Sequence, residues 1–154
     1  GRDAAGWALG DRPGGVQVAT RFRSGDAFGA RSGQLVGIGP FDPAPAKGAF
    51  RHVPARFHDG FAACRIALAE DSFELLALDP RAGESLAEVA LPRRCAFVLG
   101  HEAHGLSDEV RQDQNLRLLR IPQWGSVESL NVAVAASLAL YEYVRQHGQP
   151  AVPR

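Results

Sequence analysis

Ile121-Pro122-Gln123-Trp124-Gly125-Ser126-Val127-Glu128-Ser129-Leu130-Asn131-Val132-Ala133-Val134-Ala135-Ala136-Ser137-Leu138-Ala139-Leu140-Tyr141-Glu142 is the stretch that decides how this chain folds. An apolar strand end runs into a loop held by Pro122 and Gly125. The loop opens into a helix built largely of Val, Ala and Leu. The spacing predicts that helix over 129–146, with Ser129 at its cap and Gly148 and Pro150 stopping it. The first amides of a helix have no partners inside it. The joint therefore presents donors where an anionic or strongly accepting ligand can take them.

The same kind of joint recurs upstream. Arg94 to Leu99 reads as a buried strand closed by Gly100, Phe73 to Leu78 as a second, and Leu116 to Ile121 as a third. Gln34 to Ile38 is a short strand stopped by Gly39-Pro40, Val53 to Phe57 holds another, and residues 14–19 a weak one. Helices are expected from Phe61 to Ala69, where Phe61, Cys64 and Leu68 share a face, within 20–29, and from a start capped by Ser107. Strands alternating with helices imply an α/β domain, a mostly parallel sheet flanked by helices. Ligands of such sheets bind at the carboxyl ends of strands. Three ends open into glycine-bearing or polar loops: Leu78-Asp79, Leu99-Gly100 and Ile121-Pro122.

The bulk properties narrow the class. The 154 residues fit one domain, and 45% apolar with 22% charged residues is ordinary for a globular protein. No run approaches the roughly 18 apolar residues of a membrane span, and the first residues carry no signal-peptide core. A cytoplasmic protein without a membrane partner is expected. Cys64 and Cys95 lack metal-ligand spacing and sit in or beside apolar runs, so they are expected as buried, reduced thiols. His101 and His104 flank Glu102 with no third ligand near, and no metal is expected. Zero net charge argues against strong non-specific nucleic-acid binding by one copy. The average hides an asymmetry: residues 1–56 carry eight Lys/Arg against four Asp/Glu, and residues 57–154 nine against thirteen. Phosphate contacts are therefore sought in the first third, although a solvated arginine-rich surface gives the same count.

Three segments, read together, resemble one family. Residues 121–135 follow the pattern Ile-Pro-Met-x-Gly-x-x-x-Ser-Leu-Asn-Val-x-x-Ala, with Gln123 in place of Met. Phe97 to Gly105 follow Leu-x-Leu-Gly-x-Glu-x-x-Gly, with Phe97 in place of the first Leu. Arg23 and Asp26-Ala27-Phe28-Gly29 fit the pattern Asn-x-Gly-x-x-x-Arg and its Phe-Gly sequel, with Gln17 for Asn and Ala19 for Gly. The chain is similar, over about residues 17–146, to the SpoU (TrmH-type) RNA ribose methyltransferases of the SPOUT superfamily.

That resemblance implies a SPOUT fold with a deep C-terminal trefoil knot, formed by one domain over 1–154 without a separate N-terminal RNA-binding domain. It implies S-adenosyl-L-methionine held largely by backbone, at Leu78, Leu99, Gly100, Ile121, Gln123, Ser129 and Leu130. It implies a homodimer through the last helix, where Ala133, Ala135, Ala136 and Ser137 permit close approach; packing within one monomer also explains those small residues. The reaction implied is methylation of a ribose 2′-OH of tRNA or rRNA, tRNA being favoured because a lone domain can grip a compact, shaped RNA. Arg23, Glu102, Ser129 and Asn131 take the catalytic positions. Arg21, Arg23, Arg31 and Arg51 are candidates for RNA contact, with Arg2, Arg12 and Arg56 beside them.

Neutralising an arginine of pKa roughly 12.5–13.8 at pH 7 costs on the order of 7–9 kcal/mol. Arg23 is therefore expected to bind phosphate and stabilise developing alkoxide charge rather than to act as base. Gln17 carries one methylene more than the family Asn, which displaces its amide by about 1.5 Å. Ala19 adds a Cβ where glycine is usual. These departures leave open a second reading, a knotted dimer that binds S-adenosylmethionine or RNA and transfers methyl groups weakly or not at all. A methyltransferase acting on a base is the third.

Overall fold

The computed structural model describes residues 4–9, 33–36, 55–58, 60–100, 105–125 and 131–148. The described strands are β1 (Ala4–Leu9), β2 (Gly33–Val36), β3 (Ala55–His58), β4 (Glu74–Leu78), β5 (Glu84–Ser85), β6 (Arg94–Leu99) and β7 (Arg117–Arg120). They form one sheet in the order β3-β2-β1-β6-β4-β7-β5, and every pairing is parallel. Helices α1 (Phe61–Glu70), α2 (Asp108–Gln112) and α3 (Val132–His147) complete the described elements.

Strand β6 shows why the sheet is covered on both sides. Its run Cys95-Ala96-Phe97-Val98-Leu99 is wholly buried, as a parallel strand with two packed faces must be. Alternate side chains go to opposite faces. Cys95, Phe97 and Leu99 join Leu76, Leu119 and α3 residues Ala136, Ala139, Leu140 and Tyr143 in one cluster. Ala96 and Val98 join Leu75, Ala77, Phe61, Cys64, Leu68, Leu106 and Val110 in the other. The two cysteines are thus buried and free on opposite faces of the sheet. Burial pushes each thiol up to about 12, with the nearby Glu74 charge adding to the effect at Cys95.

The sequence reading located β4, β6, β7, α1 and α3 within a few residues, and β2 and β3 where their residues are described. The expected strand at 14–19 and helix within 20–29 lie outside the described residues. Two strands were not anticipated. β1 is Ala-Ala-Gly-Trp-Ala-Leu, where four alanine and glycine residues of weak strand preference dilute Trp7; it becomes a strand because β2 and β6 hydrogen-bond to its two edges. β5 has two residues, too few to show a period.

Helix α1 buries Phe61, Cys64 and Leu68, the predicted face. Its C-terminus closes with bonds from the Ser72 amide to the Ala69 carbonyl (3.0 Å) and from the Phe73 amide to the Leu68 carbonyl (2.9 Å). This closure needs a left-handed residue, and here Ser72 supplies it at φ 64° where glycine is usual. α3 ends on Gly148, at φ 77°, whose amide bonds to the Val144 carbonyl at 2.7 Å.

The last turns of α3 are bound to the 89–93 segment through polar side chains. Tyr143 donates its hydroxyl to the Arg93 carbonyl at 2.5 Å. Gln146 donates to the Val89 carbonyl (2.9 Å) and accepts from the Leu91 amide (2.8 Å). His147 Nε2 lies 2.7 Å from the Leu91 carbonyl, to which it donates in the tautomer protonated there. Glu142 accepts from Gln146 at 3.0 Å and from Arg145, and its hydrogen bond with Arg145 holds its carboxyl below the usual range.

β7 lies between β4 and β5, and Leu119 is in register with both Leu78 and Glu84. The chain therefore leaves β4 on one side of β7 and rejoins the sheet on the other after residues 79–83. Two ladder spacings, about 9.5 Å, are crossed in that bridge. It is fastened to β7 throughout. The Asp79 amide bonds to the Leu119 carbonyl (2.9 Å), and the Leu86 amide to that of Arg120 (2.8 Å). The Arg120 guanidinium donates to the carbonyls of Ala82 and Gly83. Arg117 pairs with Glu84 at 2.6 Å and lowers the pKa of that carboxyl.

Candidate functional site

The three strand ends singled out from the sequence meet at one edge of the sheet. β6, β4 and β7 are neighbours. Ala77 is opposite Val98 and Leu78 opposite Leu119, so Leu78, Leu99 and Leu119 stand level across the three strands. Leu99 is buried in the core, so it offers a ligand its backbone alone. Leu78 and Ile121 are half-buried and pack on the α3 cluster beside Val132. They form an apolar ledge next to the start of α3.

Gly100 controls the shape of this edge. A Cβ there would lie 2.3 Å from the Gly105 carbonyl carbon and 2.5 Å from the Leu106 nitrogen, both backbone atoms. The chain leaves β6 and folds back against Gly100 with no room for any side chain. At Gly100 the approaching backbone is the chain's own, and Gly105 makes the turn possible with φ 68°. Ser107 then caps α2 as predicted, accepting from the Val110 amide at 3.4 Å.

Behind the ledge, Asp79 is buried and accepts from the Arg81 amide at 2.9 Å. Its second oxygen faces Arg111 of α2 at 3.7 Å. The Nε of Arg111 is buried without a hydrogen-bond partner among the described residues. This charge pair joins the loop after β4 to the helix that follows the Gly105 turn. Neither residue was a site candidate. Asp79 stood in view at a marked strand end, but its partner is 32 positions away and no local pattern links them.

The remaining candidates divide simply. Gln123 is half-buried in the loop after β7. Asn131 is exposed, and its carbonyl accepts the first α3 bond from the Ala135 amide at 2.9 Å. Asn131 therefore holds the cap position expected for Ser129, since α3 is described from Val132. Arg21, Arg23, Arg31, Arg51, Glu102, Ser129 and Leu130 lie outside the described residues, as do His101 and His104. Among the described residues no cluster of His, Cys, Asp and Glu is placed to hold a metal ion, and no helix is long and apolar enough to cross a membrane.

Comparison with known proteins places this arrangement. Residues 18–141 match the model of the SpoU rRNA Methylase family. The chain belongs to that family. It is 37% identical over 130 residues to the 23S rRNA (guanosine-2'-O-)-methyltransferase RlmB of Bordetella pertussis, covering 81% of this chain and 53% of that protein. The chain thus spans about half the length of the curated relatives it matches. Among solved structures, the SpoU methyltransferase AviRb from Streptomyces viridochromogenes superposes with TM-score 0.85 at 25% identity, over 94% of this chain and 60% of that one. A structure described as giving insight into 2-OH methylation of C/U34 on tRNA superposes with TM-score 0.79 at 30% identity, over 96% and 98%.

Proposed function

We propose that this chain is an S-adenosylmethionine-dependent RNA methyltransferase acting on a ribose 2′-OH. One observation carries the reading: Leu78, Gly100 and Ile121, marked at separate strand ends in the sequence, stand together at the carboxyl edge of three adjacent parallel strands. Family membership supplies the reaction class. The half-buried ledge of Leu78, Ile121 and Val132 suits the flat adenine of the cofactor, and the Leu99–Gly100 backbone and Gln123 supply polar contacts. Bound there, S-adenosylmethionine would supply a methyl group on a sulfonium. The protein's task is then to orient the hydroxyl and help it lose a proton. Arg23 binds phosphate and stabilises alkoxide charge in this reading, with Glu102, Ser129 and Asn131 around it.

The position of β7 between β4 and β5, spanned by the 79–83 bridge, supports the knotted SPOUT arrangement. The homodimer reading also gains support, with altered residues. Ala136, one of the small residues expected at the partner face, is buried within the monomer. Val134, Leu138 and Tyr141 are the exposed apolar side chains of α3; they fall at i, i+4 and i+7, one helix face. We assign the subunit contact to these three.

Transfer RNA, named for a structure 30% identical to this chain, and 23S rRNA, named for the relative 37% identical to it, are the two substrates to test. The enzyme would act in the cytoplasm. Purified protein, labelled S-adenosylmethionine and RNA lacking the modification give the test. Methyl transfer lost in Arg23→Ala, with 2′-O-methylnucleoside in the digest, is the expected result. Gln17 and Ala19 favour the alternative of a binding dimer, which predicts calorimetric binding of S-adenosylmethionine without transfer. A methylated base in the digest would overturn the ribose assignment.

A further inference from the structure

Trp124 is 92% exposed, whereas the other exposed large apolar side chains among the described residues keep a third or more of their surface covered. An indole in water forgoes the large burial gain that usually draws tryptophan into cores and interfaces. Trp124 sits four residues past the end of β7, between Pro122, which fixes the backbone, and Gly125. Its loop leaves the same sheet edge as the bridge 79–83.

That bridge carries a second exposed group. The Arg81 side chain is 74% exposed, and its Nε lies 4.0 Å from Asp79. Asp79 is itself occupied by the Arg81 amide and Arg111. The Arg81 guanidinium therefore faces solvent with its charge largely unspent. Other described arginines are tied down: Arg65 to Asp113 at 2.9 Å, Arg117 to Glu84, Arg145 to Glu142, and Arg94 to the Asp71 carbonyl and the Phe73 ring. Arg120, bonded to the Ala82 and Gly83 carbonyls, fixes the Arg81 bridge to the strand that delivers Trp124.

We propose that Trp124 and Arg81 form an RNA-reading platform beside the methyl-transfer site, the indole stacking on an unpaired base and the guanidinium contacting its phosphate. An exposed aromatic face and an exposed arginine, on two loops that leave the same sheet edge, suit splayed single-stranded RNA, because every base offers a π-face. The platform lies at the edge where Leu78, Gly100 and Ile121 converge, so a base held there would bring a nearby ribose towards the cofactor. This proposal rests on the RNA methyltransferase reading, and its test is arranged so that either can fail alone.

Tryptophan fluorescence is titrated with a short single-stranded oligoadenylate, comparing wild type with Trp124→Phe. Quenching that appears in wild type and is absent in the variant is expected, since the other tryptophan, Trp7, lies in central strand β1. Steady-state methylation of transfer RNA and 23S rRNA gives the second readout. Trp124→Ala should raise the RNA KM roughly five- to 150-fold, from the usual range for one stacked base, with kcat and S-adenosylmethionine affinity held. Trp124→Phe should restore most of it, and Arg81→Ala should raise KM and flatten its salt dependence. Quenching without methyl transfer would sink the enzymatic reading and leave the platform standing. Methyl transfer with wild-type RNA KM in Trp124→Ala, or absence of oligoadenylate quenching, would overturn the platform. So would sedimentation showing that Trp124→Ala dissociates a dimer while RNA KM is unchanged at saturating protein; Trp124 would then belong to a subunit contact.

Discussion

Helices α1 and α3 cover opposite faces of the same strands in different ways. α1 rests on its face through Phe61, Cys64 and Leu68, and its ion pair, Arg65 with Asp113, is partly exposed. α3 is also packed through apolar residues, but its last turns reach across fifty or more positions with Tyr143, Gln146 and His147 to bond the backbone of 89–93. Apolar packing decides that a helix lies on a sheet; it does not fix where along the sheet. The α3 bonds do fix it, because each joins one side chain to one backbone group. The more firmly located helix is the one that begins at the candidate cofactor edge.

The comparison can be broken at several points. Gly100→Ala should have the largest effect. Its Cβ would overlap backbone that cannot yield, and we expect several kcal/mol of destabilisation or no soluble protein, measured by thermal unfolding. Gln146→Leu should follow, at about 2–3 kcal/mol, because it strands the Leu91 amide and Val89 carbonyl. Tyr143→Phe should cost about 1 kcal/mol in denaturant unfolding. Arg65→Met, on the α1 side, should cost about 0–1 kcal/mol. Equal losses for Gln146→Leu and Arg65→Met would remove the distinction between the helices. Ser72→Gly should stabilise the protein by about 0.5–1 kcal/mol, since glycine adopts the left-handed conformation without penalty.

The last effect shows only in alkaline solution. The folded thiols titrate near 12 and an unfolded thiol near 9.0. The stabilising contribution is complete below about pH 9 and is lost as pH rises from there towards 12. Both cysteines should resist a thiol reagent at pH 8 in native protein and react together once it is unfolded. A fast reaction of either would show that its face opens.

What the sequence made legible follows from the range of the interactions. The apolar run of β6, the face of α1 and the Ser107 cap are local patterns, and each was read. The three ends at Leu78, Gly100 and Ile121 were also marked, because turn residues advertise strand ends. Strand order was not available: nothing in Arg117 to Arg120 says that β7 will lie between two strands only five residues apart. β1 was missed because alanine and glycine take a strand's shape from their neighbours. Asp79 with Arg111, and the polar bonds of α3, escaped because their partners are far off in sequence and a lone Gln or Asp on a surface pattern reads as solvated. Why position 100 must be glycine was hidden for the same cause, since the contacting backbone returns only after an intervening loop.

The bridge over β7 has a consequence for the chain as it is being made. Synthesis runs from the N-terminus, so β4 and β5 leave the ribosome before β7 exists. Until residue 120 has emerged, the slot between them is empty and β4 carries a bare edge of unsatisfied amides and carbonyls. An open strand edge is where other chains attach. A stalled or truncated product ending before Arg117 should therefore aggregate far more readily than the whole chain, and the protein is most vulnerable in the interval before its own late strand closes it.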